Sequence, residues 1–185
     1  MRLLTALILL LVQHQVHAAA ATYRVSSVTI REPLAPEWRV QSKSEHRVVF
    51  FHRDTETDSD FIAIGSHFEP QWPSSDADFL QEFKKHAEAS NATLQRVLSS
   101  RFELTRERGY LCARAFVVGE ESSNTPDSAS RLPVRVHART LACRRGSPSR
   151  DGLFAFFQYV SQDPSEALDS QAESFIQGVQ FYERK

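Results

Sequence analysis

The chain predicts an α+β domain, a mainly antiparallel β-sheet with helices packed on its faces. Two observations carry this. Short runs rich in β-branched and aromatic residues, such as Arg47–Arg53 and Phe61–Phe68, are joined by polar segments at hairpin distance. Helical apolar spacing occurs after Pro73 and again after Asp163, each time following a group of strands.

The elements follow in order. Val28-Thr29-Ile30 is the first strand signal, and Pro33 and Pro36 then break the chain before Trp38-Arg39-Val40. Asp54–Asp60 reads as the turn of a hairpin between Arg47–Arg53 and Phe61–Phe68. Phe50, Phe51, Ile62 and Ile64 place apolar groups on both faces of that hairpin, so both are at least partly covered. Ser75 with Asp78 forms a capping box in which Asp replaces Glu. Phe79, Leu80, Phe83, Ala87, Leu94, Val97 and Leu98 continue at helical spacing, which predicts one long or two short helices over 75–100, with a break at Ser90 or Asn91. Three strands follow Gly109, at Tyr110–Gly119, Pro133–Cys143 and Leu153–Val160, the first two flanking a polar loop over 120–132. A closing helix is predicted with Asp163 at its N-cap, Pro164 at N1 and Glu166 at N3, and with Leu168, Ala172, Phe175, Ile176 and Val179 as its buried stripe.

The start of the sequence gives an address. Arg2, the apolar run Leu3–Val12 and the small residues Val16 and Ala18 have the three parts of a secretory signal peptide. Residues 1–18 are therefore expected to be removed, with cleavage after Ala18 and Ala20 as the near alternative. Residues 19–27 read as a flexible lead-in and 28–185 as a single domain, periplasmic or secreted. A formal net charge of −1 excludes a sequence-independent nucleic-acid binder, and no later apolar run is long enough to span a bilayer.

The pieces EWRV, RVVFFHRD, FIAIGSHFEP, the helix after them, YLCARAFVV, the strand ending in LACRRG and the closing ESFIQGVQFYERK together resemble the PsbP-like α/β/α sandwich. Small exported bacterial proteins share that fold with the photosystem II extrinsic PsbP protein. The resemblance covers most of the chain after residue 18. It implies a binding or accessory protein of the cell envelope, and it carries over no catalytic residue and no cofactor.

Cys112 and Cys143 are the two cysteines. In a hairpin centred on the polar loop their positions sum to 255, the constant that places them opposite each other, within reach of a disulfide. No C-x-x-C spacing points to a redox-active pair. Alternation on the same strand puts Arg135, His137 and Arg139 on one face, flanked by Arg131 and Arg145, with Val134, Val136, Ala138 and Ala142 facing the core. That row is the candidate partner-binding site, suited to an acidic segment if its face is solvated.

Other constellations are weaker. Asp54, Glu56, Asp58 and Asp60 have calcium-loop spacing, but Ser59 stands where that loop needs Gly and Gly65 where it needs Glu. His46 and His67 can approach across the first hairpin without a third metal ligand. Asn91-Ala92-Thr93 is a glycosylation sequon. Nucleophile-elbow, zinc-protease and phosphate-loop signatures are missing, and Ser66 and His67 point to opposite faces of one strand. The expectation is a non-enzymatic protein that needs no cofactor or metal and acts through an interface with another envelope or extracellular protein. The alternative is a carrier of a small apolar or anionic ligand, since thirteen Phe could line an apolar cavity. A cavity between the sheet and the 75–100 helix would favour that alternative.

Overall fold

The computed structural model describes residues 20–34, 37–55, 59–69, 75–90, 94–106, 108–121, 134–146 and 151–182. The proposed signal segment, Glu56–Asp58 of the acidic turn, the sequon and Arg131 lie outside them. The described chain runs β1 (Thr22–Val25), β2 (Val28–Arg31), β3 (Arg39–Lys43), β4 (Arg47–Asp54), β5 (Ser59–Phe68), α1 (Asp76–Ser90), β6 (Leu94–Thr105), β7 (Leu111–Glu121), β8 (Val134–Arg144), β9 (Gly152–Val160), α2 (Glu166–Gly178) and β10 (Val179–Phe181).

Seven strands form one antiparallel sheet in the order β3-β4-β5-β9-β8-β7-β6, and β1-β2-β10 form a smaller antiparallel sheet. The α+β class is thus present, with helices on both faces of the large sheet. On one face, Leu141, Cys143, Leu153, Phe157 and Tyr159 pack with Phe175 and Ile176 of α2 and with Val28 and Ile30 of β2. On the other, Phe79 and Phe83 of α1 pack against Leu111, Ala113, Ala115 and Ala142. The even–odd split along β8 and β9 separates these two clusters, as strand alternation requires.

The small sheet sits directly on the large one because Gly65 leaves room for it. A β-carbon at Gly65 would lie 2.8 Å from the side-chain carbons of Ile30, which is fully buried. Arg108, from the β6–β7 connection, then fixes α2 and β10 together. Its Nη1 donates to the Val179 carbonyl at 2.6 Å and its Nη2 to the Ile176 carbonyl at 2.8 Å. This places a cation at the C-terminal end of α2, whose own last turn has no basic residue.

Four expectations change. Thr22–Val25, expected within the lead-in, is a strand, turned onto β2 through Ser26 with φ of 47°. A two-residue turn carrying Ser at positive φ lacks the Gly or Asn that marks such hairpins in sequence. The helix predicted to residue 100 ends at Ser90, and Leu94–Thr105 is the outer strand beside β7. Two β-bulges interrupt this strand, and the first explains the misreading. Lying between Leu94 and Arg96, it lets Leu94 and Val97, three apart, pair with Glu121 and Gly119 on the same face, which imitates helical spacing. α2 is capped by Ser165, whose hydroxyl accepts from the Leu168 amide, so the helix starts two residues later than the Asp163 cap implied. Val179 ends the predicted stripe as a strand residue, paired with Ile30.

Other local readings hold. Ser75 Oγ accepts from the Asp78 amide at 3.1 Å, the expected N-cap bond, and donates to the Asp78 carboxylate, which thus meets the Ser75 hydroxyl rather than the backbone N–H of a full capping box. Cys112 lies opposite Cys143 and the two are disulfide-bonded, with Cα atoms 4.0 Å apart.

Reduction of the Cys112–Cys143 bond should destabilise the chain by about 3–4 kcal/mol, lowering the melting temperature by several degrees in calorimetry with and without reductant. Replacing Gly65 by Ala should cost about 1–3 kcal/mol, read as a lower denaturant midpoint with unchanged slope, because buried Ile30 must move.

Candidate functional site

The basic strand row turns inward. His137 is 4% exposed and its ring stacks on Tyr159 with centroids 4.7 Å apart and planes 2° from parallel. Its Nε2–H donates to the Ser161 carbonyl at 3.1 Å. Burial holds the His137 pKa below its ordinary value, aided by the charges of Arg139 and Arg135. The Ser161 carbonyl and Asp169 pull the other way. Arg139 Nη2 donates to Asp169 Oδ1 at 2.5 Å, and the Tyr159 hydroxyl donates to the same oxygen at 2.7 Å. Burial, then the bond to Asp169, raises the Tyr159 pKa far above the phenol range. Arg135 alone of the three is exposed, with Nη1 donating to the Gln162 carbonyl at 3.1 Å.

The row is therefore no continuous solvated face. The β9–α2 connection and α2 lie over it, and the helix brings acids to meet the strand arginines. Arg139 pairs with Asp169, and Arg114 pairs with Glu173 one turn further on. Opposite to expectation, the polar face of β8 lies under a helix, while Val136 and Ala138 on its other face are buried as well. Asp169 and Glu173, four apart beside the apolar stripe of α2, are the signal that would have shown this.

The histidines of the first hairpin stand apart from that network. His46 and His67 approach with ring centroids 5.8 Å apart, and His67 Nε2 lies 3.3 Å from Asp151 Oδ1. His52 packs between Trp38 and Phe61. No group of three or more His, Cys, Asp or Glu among the described residues is placed to hold a metal ion.

A cavity of about 370 Å³ lies between α1 and the sheet. Phe154 and Phe156 of β9, with Thr140 and Ala142 of β8, form its floor, and Phe68 of β5 forms one wall. Phe83 and Ala87 of α1 close it from above. His86, Ser90 and Glu69 are exposed at its margin and give the mouth a polar rim. Gly152 shapes the wall, since a β-carbon there would strike the Phe68 ring at 2.5 Å. Such a space accepts an apolar body of a few hundred cubic ångströms and offers hydrogen-bonding groups at one end. The floor aromatics read as strand core in the sequence. Their signal is that Phe61–Phe68 and Leu153–Val160 are apolar at both even and odd positions.

The folded-state pKa of His137 lies below its unfolded value, so below the ordinary histidine range the unfolded chain binds the proton more readily. Stability from this group is thus complete at neutral pH and lost as pH falls. Melting curves at pH 7.5 and 5.5 should show a larger drop for the wild type than for His137→Gln, which keeps a donor for Ser161 and cannot titrate.

No family model matches this chain, and no curated protein is significantly similar to it, so the cavity and the network stand on their own geometry.

Proposed function

We propose that this chain is an exported, non-enzymatic binding protein that carries a small apolar ligand in the cavity between α1 and the sheet. The cavity itself carries the reading, with its Phe floor and wall, one hydroxyl residue, Thr140, in the floor and further polar groups at the mouth. Its volume falls in the range of small-molecule sites, and its lining has the usual mixture of many apolar groups with a few polar ones. The Cys112–Cys143 disulfide is compatible with an oxidising compartment. No helix among the described residues is long and apolar enough to cross a membrane. The PsbP-like resemblance agrees with an α+β fold bearing helices on both sheet faces and with a binding role.

Contact with another envelope or extracellular protein is the second reading. Val97, Leu98 and Leu104, exposed along the outer strand β6, favour it.

The two readings separate in a titration with a naphthyl-amine fluorophore, a small apolar probe. A carrier should give saturable enhancement at one probe per chain. Ser90→Trp, at an exposed position on the rim, should weaken it about tenfold or more while leaving the melting temperature within about 1 °C. Absence of saturable enhancement, or equal enhancement in Ser90→Trp, would rule the cavity out as the site.

A further inference from the structure

A second, polar cleft lies on the opposite side of the fold logic, where the β6–β7 connection, β10 and the end of β8 meet. It measures about 760 Å³, and its walls include Arg108, Tyr110, Arg145, Gln180, Phe181 and Tyr182. Among the described residues, no Asp or Glu lines it.

Six arginines elsewhere each reach a carboxylate: Arg96, Arg101, Arg106, Arg114, Arg139 and Arg144. Arg108 and Arg145, like Arg24, Arg31, Arg39, Arg47 and Arg135, have no carboxylate partner among the described residues. The two in the cleft are nonetheless held in place. Arg108 is fixed by the Val179 and Ile176 carbonyls, and Arg145 Nη2 donates to the Tyr182 carbonyl at 3.2 Å. The Arg145 guanidinium also lies 4.7 Å from the Phe181 ring centroid, and Phe181 in turn packs edge-on against Tyr110 at 4.9 Å. Arg24 adds a third positive group nearby, 3.7 Å over the Tyr182 ring.

Backbone carbonyls orient these guanidinium groups without cancelling their charge, and each group has more N–H donors than those bonds use. Two oriented cations in one cleft, with no acid among the described residues of its walls, form a preorganised anion receptor, because the cost of ordering long side chains has already been met by the fold. We infer that this cleft binds an oxyanion, the phosphate or carboxylate group of a small molecule, between Arg108 and Arg145, with Tyr110 and Phe181 offering ring surface to whatever carries the group. The site is separate from the α1 cavity and does not depend on the carrier reading.

The test is a thermal-shift titration of residues 19–185, at pH 7.5, with sodium phosphate, sodium acetate and sodium chloride at matched ionic strength. Phosphate or acetate should raise the melting temperature saturably by several degrees beyond chloride, and the arm that does so identifies the head group. Arg145→Gln should weaken the half-saturating concentration about tenfold, and Arg145→Lys less. Nitrogen-15 spectra of the arginine Nε–H groups supply a readout that does not require a variant at Arg108, which also caps α2. Two peaks, assigned to Arg108 and Arg145, should shift with the same saturation curve. A rise no greater than chloride gives, an unchanged response in Arg145→Gln, or unmoved arginine peaks would each overturn the assignment.

Discussion

Apolar side chains on both faces of the central strands are the constraint on which the rest of the fold depends. β8 and β9 bury Leu141, Cys143, Leu153 and Phe157 on one face and Ala142 with half-buried Phe154 on the other. Each face must be taken out of water, at roughly 25 cal/mol per Å² of apolar surface. α2 and the three-stranded sheet cover the first face, and α1 covers part of the second. Covering α2's face introduces charge, because that face also bears Arg114, Arg139 and His137. Asp169 resolves this by accepting from both Arg139 and Tyr159. Removing that carboxylate would leave a half-buried guanidinium and the Tyr159 hydroxyl without their shared acceptor.

The same constraint explains where the sequence was legible. The β7–β8 register was readable because a hairpin fixes a constant sum, and Cys112 with Cys143 satisfied it. The β4–β5 hairpin was readable from strand composition, and the start of α1 from Ser75 and Asp78. Reading failed where a local pattern had two meanings. Leu94 and Val97 share a face three residues apart because of a bulge between them, and nothing in their spacing separates that from a helical turn. Arg135, His137 and Arg139 alternate with apolar residues as a solvated face would, yet His137 and Arg139 lie under the β9–α2 connection and α2, and only Arg135 is exposed. Strand alternation says that two faces differ. It does not say which one a later helix will cover.

The candidate sites were less legible than the fold, for a related reason. A cavity is a property of how much of a face its cover leaves open, and that depends on the length and position of α1. A predicted helix reaching residue 100 would have passed over more of the sheet than the observed fifteen residues do. The arginine cleft assembles Arg108, Arg145 and Phe181 from three separated segments, and β10 was not visible as a strand. Long-range juxtaposition of this kind leaves no local periodicity to read.

The placement of α1 also bears on how a ligand would reach the cavity. The first turn of the helix is anchored by Asp76, which receives Arg106 at 2.5 Å and Arg144 at 3.6 Å. Phe79 and Phe83 then bury in the middle of the helix. By the last turn, Ala87 is the buried contact, while His86 and Ser90 lie exposed beside the cavity mouth. Ser90 Oγ donates back to the His86 carbonyl at 2.9 Å, and no basic residue in that turn supports the helix end. Packing thus declines along the helix toward the cavity, and local opening is easiest where buried contacts are fewest. Under the carrier reading, a helix pinned at its N-terminal end and more lightly packed toward its C-terminal end would admit an apolar guest at one end without unseating the core at the other.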